Sequence, residues 1–275
     1  MPVKKVALVE AEHHVLSSIF LERDVKVDCY YPSGMATFED ISLLLINDGQ
    51  DLPKMPFTDI LEELYETKEI VPLFCVGIHC AIDRKNEYGT AKIQDYKGRG
   101  ARAYLYNAFI MLELLPFIRL TYSIHSFSEK SFAGFSLGGL CAMDIVWNHS
   151  REFTRVGVFS GSLWWRDKAH DDPDFDEDKN RIMQKQVREG QFSPWLTFFF
   201  EVGTLDEKED RNKNGVIDSI DDTQAIIKEL IKKGYPETSI EYLELKDGHH
   251  DVQTWARAFP VFLKWGWGYN DELTD

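Results

Sequence analysis

Short, largely apolar runs constrain what this chain can fold into more than any other feature. Residues 43–47, 73–78, 156–159, 195–202 and 240–245 are each too short for a core helix, and most of them lack the polar alternation of a half-exposed strand. Between them lie stretches with helical spacing. Residues 57–67 carry Phe57, Ile60, Leu61, Leu64 and Tyr65, and residues 101–122 carry Tyr104, Phe109, Leu112 and Leu115, with Pro116 as a kink or break. Further helices are expected at 140–147, at 222–233 ending on Gly234, and at 252–265. Residues 15–21 and 25–31, split by Glu22-Arg23-Asp24, read as an antiparallel hairpin. The sum is a single α/β domain with a mostly parallel sheet of about eight strands, helices on both faces, and ligands at the carboxyl ends of the strands.

One junction in this pattern is chemically pointed. Gly134-Phe135-Ser136-Leu137-Gly138-Gly139 sits where the strand at 131–135 gives way to a helix. A serine between small residues at such a junction suits a nucleophile elbow, whose turn is too sharp for a Cβ at Gly134 or Gly138. The turn lifts the hydroxyl above the sheet edge at a helix N-terminus.

Composition excludes several functions. Lys and Arg total 31 against 46 Asp and Glu, for a net charge of −15, which disfavours nucleic acid and anionic membrane surfaces as partners. Cys29, Cys75, Cys80 and Cys141 form no Cys-x-x-Cys pair and read as buried thiols. The apolar run near Met1 is too short for a signal peptide and no later segment is read as spanning a membrane, so the expected location is cytoplasmic. Oligomeric state is left open.

A serine hydroxyl needs a base within reach, and the base needs a carboxylate to hold its tautomer. In this strand order the acid belongs after a later strand and the histidine after the last one. Gly203-Thr204-Leu205-Asp206-Glu207 and Asp247-Gly248-His249-His250-Asp251 occupy those places. Asp206, Glu207 and Asp210 are candidates for the acid, and His249 and His250 for the base.

Six motifs taken together carry a family resemblance: Leu45-Ile46-Asn47-Asp48-Gly49-Gln50, Glu113-Leu114-Leu115-Pro116, the Ser136 turn, Ser160-Gly161-Ser162, Gly203-Thr204-Leu205-Asp206, and Gly248-His249-His250 with Trp255. In their order and spacing the chain resembles, from about residue 15 to 267, the α/β-hydrolase family that includes enterochelin esterases, esterase D and the mycolyltransferases. The resemblance implies a serine carboxylic ester hydrolase working through an acyl-enzyme, with Ser136, His250 and Asp206 as the triad. It selects His250 by its distance from Trp255, and it places the oxyanion donors at the backbone N–H groups of Leu137 and Gln50. No organic cofactor is implied. The substrate would be a small-molecule, glycan or siderophore ester. Acyl transfer to an alcohol and a non-catalytic calcium-dependent binding role are the alternatives. Arg84, Tyr88, Trp164, Trp165 and Trp255 are candidates to line the pocket, and the acidic insertion at 163–192 is a candidate lid.

A second site stands out at 210–221. Oxygen-bearing side chains fall at positions 1, 3, 5, 9 and 12 of an EF-hand loop template, with glycine at 6. Asp210, Asn212, Asn214, the Val216 carbonyl, Asp218 and Asp221 are the candidate ligands of a structural calcium ion, which would pin the loop that begins at Asp206.

Overall fold

Each apolar run becomes a strand of one sheet. The computed structural model describes residues 8–269, so the first seven residues of the N-terminal apolar run lie outside it. In chain order the elements are β1 (Val9–Ser18), β2 (Arg23–Pro32), β3 (Ser42–Asn47), α1 (Phe57–Glu66), β4 (Leu73–Ile78), the short α2 (Arg84–Glu87), α3 (Ala103–Phe109), α4 (Leu115–Tyr122), β5 (Lys130–Phe135) and α5 (Leu137–Asn148). There follow β6 (Arg155–Phe159), α6 (Glu177–Asn180), α7 (Ile182–Glu189), β7 (Thr197–Leu205), α8 (Asp218–Lys233), β8 (Ile240–His249) and α9 (Val252–Trp267). The eight strands lie in the order β1-β2-β4-β3-β5-β6-β7-β8. The hairpin pairs antiparallel and joins β4 antiparallel through β2, and from β4 to β8 all pairs are parallel.

Alternate side chains of the same strand serve two cores. Leu43, Leu45, Phe132, Val156, Phe198 and Phe200 pack on the layer formed by α3, α4, α5, α7 and α8. Leu44, Ile46, Phe135, Phe159 and Phe199 face α1 and α9. Burial on both faces is why these runs show no polar alternation. It also brings the carboxyl ends of β3 to β8 to one edge, where the loops of interest gather.

Four expectations are corrected. Pro116 breaks no helix: the backbone widens into a π turn over Ile110–Leu114 just before it, and Pro116 enters the first turn of α4, where a missing N–H costs nothing. Tyr104 and Leu112 face solvent, and Ala103, Tyr106, Ile110, Leu114 and Ile118 form the buried stripe. The stretch Ala103–Tyr122 is long and apolar enough by composition to cross a membrane, contrary to the reading that no segment is, and here it lies as a layer against the sheet. The insertion at 163–192 is only partly an excursion. Its second half is α7, whose Ile182, Met183 and Val187 belong to the larger core.

Candidate active site

Ser136 sits at φ 54°, ψ −121°, a region an L-residue occupies only when its surroundings force it there. What forces it is close packing of glycines. A Cβ on Gly134 would collide with the backbone of Gly138 and Gly139, and one on Gly138 would stand 2.7 Å from Asp48 Oδ2. The Ser136 N–H donates to the Phe159 carbonyl at 2.8 Å, and its own carbonyl accepts from Ser162 at 3.0 Å, which ties the turn to the loop after β6.

A polar cluster under the turn holds it from the β3 side. Asn47, fully buried, donates to the Gly138 carbonyl at 2.8 Å and accepts from the Tyr106 hydroxyl at 2.6 Å. Asp48 takes two bonds from the Arg84 guanidinium, at 2.7 and 2.6 Å, and Arg84 also donates to the Phe135 carbonyl at 3.2 Å. The Tyr88 hydroxyl accepts the Asp48 N–H at 3.2 Å, with the Arg84 guanidinium over its ring. Burial raises the Tyr88 phenol well above its ordinary range, and it stays neutral.

The two expected oxyanion donors both lie at helix starts. Leu137 opens α5, and Gln50 lies in the first turn of a 3-10 helix spanning Gly49–Lys54. First-turn N–H groups have no intrahelical acceptor. Gly49 makes the close approach possible, since any Cβ there would strike the backbone of Gly77 and Ile78. The Gln50 side chain is engaged separately, its Oε1 accepting from the Cys80 N–H at 3.1 Å.

Asp206 and His250 meet at the neighbouring strand ends, with His250 Nδ1 3.7 Å from Asp206 Oδ2. That is somewhat beyond a direct hydrogen bond, in the range such pairs occupy without substrate. The Asp206 side chain is fully buried and that of His250 is 40% exposed. His250 packs edge-on against Trp255 at 5.4 Å, Trp255 stacks on Phe135, and its indole N–H donates to Ser160 Oγ at 3.0 Å. Asp251 caps α9 by accepting from the Thr254 N–H, and the Thr254 hydroxyl accepts from the His249 N–H, so the cap holds the histidine loop. The alternative residues lie elsewhere. Burial raises the half-buried Glu207 carboxyl, which faces Ser219; Asp210 accepts from Asn214 and Gly215; and His249 is exposed near Asp247 and Asp251.

The expected pocket residues are mostly supports. Tyr88 and Trp165 are wholly buried and line no opening, and Trp165 packs under Gly89 and Gly100. Trp255 is also buried and braces His250. Arg84 is spent on Asp48 and Phe135. Trp164 borders a cavity of about 350 Å³ shared with Arg166, His170, Glu207 and Arg211. A larger groove of about 760 Å³ opens beside the Gln50 loop, lined in part by Arg23, Lys26, Cys80, Ile82 and Arg102. No sequence signal marked it, because its walls come from the β1–β2 turn, the end of β4 and the start of α3.

The loop at 210–221 folds on its own side chains. Asp210, Asn212 and Asn214 accept from N–H groups within the loop, and the amides of Asn212 and Asn214 both donate to Asp221 Oδ2 at 2.7 and 2.8 Å. Gly215 takes the positive φ, 86°, that the turn requires. Asp218 is committed to Arg211, accepting its N–H at 2.9 Å. Among the described residues, no group of three or more His, Cys, Asp or Glu is disposed to hold a metal ion.

Sequence reasoning passed over Glu201, and took Ser160 only as part of a motif, with no role assigned to it. Glu201 is 1% exposed on β7, and Ser160, 3% exposed, accepts the indole N–H of Trp255, the residue that braces His250. A lone carboxylate inside the apolar run at 195–202 was the available signal.

Strand order, a serine on the strained turn after β5, and an acid and a histidine after β7 and β8 are the layout of the α/β-hydrolase fold. The chain belongs to the Putative esterase family, whose model matches residues 18–265. Similar solved structures include the enterobactin esterase of Shigella flexneri, at 19% identity and TM-score 0.68, covering 93% of this chain and 58% of that one. The chain thus spans little more than half of that enzyme. A ferulic acid esterase matches at 17% identity and TM-score 0.69 over 94% and 97% of the two chains. The BES protein from Bacillus cereus matches at 17% identity and TM-score 0.70 over 98% and 100%. At these identities the likeness concerns the fold. No match to a curated protein was found by sequence.

Proposed function

We propose that the protein cleaves carboxylic esters through an acyl-enzyme on Ser136. His250 takes the hydroxyl proton as Ser136 Oγ attacks the ester carbonyl, then passes it to the departing alcohol. Asp206 fixes the imidazole tautomer and offsets its positive charge. The N–H groups of Leu137 and Gln50 hold the oxyanion where negative charge develops. Water deprotonated by His250 then releases the acid. The observation that carries this reading is the strained Ser136 turn standing at the same sheet edge as the buried Asp206 facing His250.

The groove beside Gln50 offers room for the part of a substrate remote from the reacting carbonyl. Its volume suits a compact small molecule, and the Shigella flexneri enzyme was solved in the presence of 2,3-di-hydroxy-N-benzoyl-glycine, an aryl amide of that size class.

Hydrolysis of p-nitrophenyl acetate and butyrate by wild type and Ser136→Ala tests the nucleophile. Turnover should fall at least about 10³-fold in the variant, and a fluorophosphonate should label only the wild type. Undiminished turnover by Ser136→Ala would remove the mechanism.

The loop at 210–221 is proposed to take a structural calcium ion. Asp210, Asn212, Asn214 and Asp221 are already gathered, and the Val216 carbonyl belongs to the same turn. A cation there would need the two amides turned so that their oxygens face it. Calcium supplies no chemistry to the ester in this arrangement; it would fix the loop that carries Asp206. Calorimetry should show thermal stabilisation by calcium in wild type and none in Asp210→Ala; equal melting of wild type with and without calcium would exclude the site.

A further inference from the structure

Glu201 is the one ionisable side chain in the apolar run of β7, and it points to the α9 face with Phe199. By register it stands between Phe159 of β6 and Leu243 of β8. It is 1% exposed, and neither carboxyl oxygen has a protein hydrogen-bond partner. The same holds for both oxygens of Asp206. Residues two apart on a strand share a face, so the next side chain after Glu201 on this face would be that of residue 203. That residue is glycine, and a Cβ there would stand 2.8 Å from Asp206 Oδ1. The Asp206 carboxylate is therefore folded back into the space of the missing side chain, directly along the strand face from Glu201.

Two carboxylates in one dry pocket cannot both carry charge cheaply. The groups facing Glu201 offer little to neutralise it. Arg257 of α9 is tied to Asp247 at 2.7 Å on the surface, and the β8 side chain on the Glu201 face is the apolar Leu243, with Tyr242 turned to the opposite core. The Ser160 hydroxyl accepts the Trp255 indole N–H and keeps its own proton to give. Burial first and the Asp206 charge second push the Glu201 carboxyl up to about 8, against the pull of Ser160 and Arg257.

We propose that Glu201 is a positioning residue that keeps its proton and donates it to Asp206, so that the two buried acids share one negative charge aimed at His250. Glu201 touches neither ester nor serine; it acts through Asp206. Its proton satisfies one Asp206 oxygen and leaves the other for His250 Nδ1. The inference rests on the triad reading above.

The first test needs no turnover. A carboxyl raised in the folded state stabilises the protein below its ordinary value near 4.5, and that stability drains away as pH climbs toward about 8. Urea unfolding of the full chain from pH 4.5 to 9 should therefore show wild type losing stability relative to Glu201→Gln over this window and levelling off above it. In Asp206→Asn the loss should level off at least roughly one pH unit lower. A difference between wild type and Glu201→Gln that does not vary with pH, or a profile unmoved by Asp206→Asn, would overturn the shared proton. The second test is kinetic. Glu201→Gln, which keeps a neutral donor, should hold kcat within about 3-fold at pH 7, and Glu201→Leu should lose about 10- to 100-fold in kcat with KM nearly unchanged. Equal losses in both variants would overturn the positioning role. Ser136→Ala separates the two readings: failure of the triad would show there as undiminished turnover, while the unfolding profiles still report on Glu201 and Asp206.

Discussion

Removing the Arg84 head group should cost the fold more than its half-exposed position suggests. Arg84→Met keeps most of the aliphatic stem and deletes both bonds to Asp48. The Asp48 side chain is only 4% exposed, against 28% for Arg84, so the charge left behind is the one that cannot reach water. Breaking a buried pair from one side typically costs about 3–5 kcal/mol. Gln50 Nε2, 3.3 Å from Asp48 Oδ1, offers a partial replacement, which places the expectation near the lower figure, about 3 kcal/mol. For 275 residues the unfolding entropy is roughly 0.6 kcal/mol/K, so Tm should fall by about 5 °C. Asp48→Asn leaves the more accessible Arg84 unpaired and should cost about 1–2 kcal/mol. The double variant should then be less damaged than the sum by at least about 1 kcal/mol. Thermal and urea unfolding of the four proteins closes the cycle. Additivity within about 0.5 kcal/mol would refute the claim that the pair is what keeps Asp48 buried. Because Arg84 also donates to the carbonyl of Phe135, next to Ser136, fluorophosphonate labelling of Arg84→Met should slow as well.

Trp255→Phe keeps an aromatic ring on Phe135 but deletes the N–H to Ser160, and it should cost about 1 kcal/mol of stability and several-fold in kcat with little change in KM; an unchanged kcat would mean that Trp255 is only packing. Burial pushes the Cys29 and Cys80 thiols up to about 12, and Cys75 and Cys141 higher still, so the folded protein should react hardly at all with a disulfide reagent at pH 8 and release four thiols once unfolded. Rapid titration of two or more thiols in the folded state would contradict that burial.

What could be read from the residues alone follows the range of the forces involved. Strands at 43–47 and 73–78 were legible because burial on both faces leaves an unbroken apolar run, and the Ser136 turn because its glycines are local necessities. The calcium template at 210–221, which stays a proposal, could be drawn for the same reason, since all its positions lie within twelve consecutive residues. The pocket was not legible. Tyr88, Trp165 and Trp255 are aromatic whether they line a cleft or brace a wall, and only burial separates the roles. Helix α7, written Ile182-Met183-Gln184-Lys185-Gln186-Val187-Arg188-Glu189, looks like part of a solvated insertion until α5 and α8 supply the surface that its three apolar residues cover. Glu201 was hidden in the opposite sense. One acid in an apolar run has no local meaning, and it acquires one only when Gly203 lets Asp206 fold back along the same face.

The base and its brace, His250 and Trp255, come more than a hundred residues after the nucleophile turn. As the polypeptide leaves the ribosome, the glycine-locked serine can take shape with no proton acceptor beside it. On the proposed mechanism the nascent protein is chemically silent until α9 seats against the sheet. Docking of that helix and the onset of hydrolysis are thereby one event.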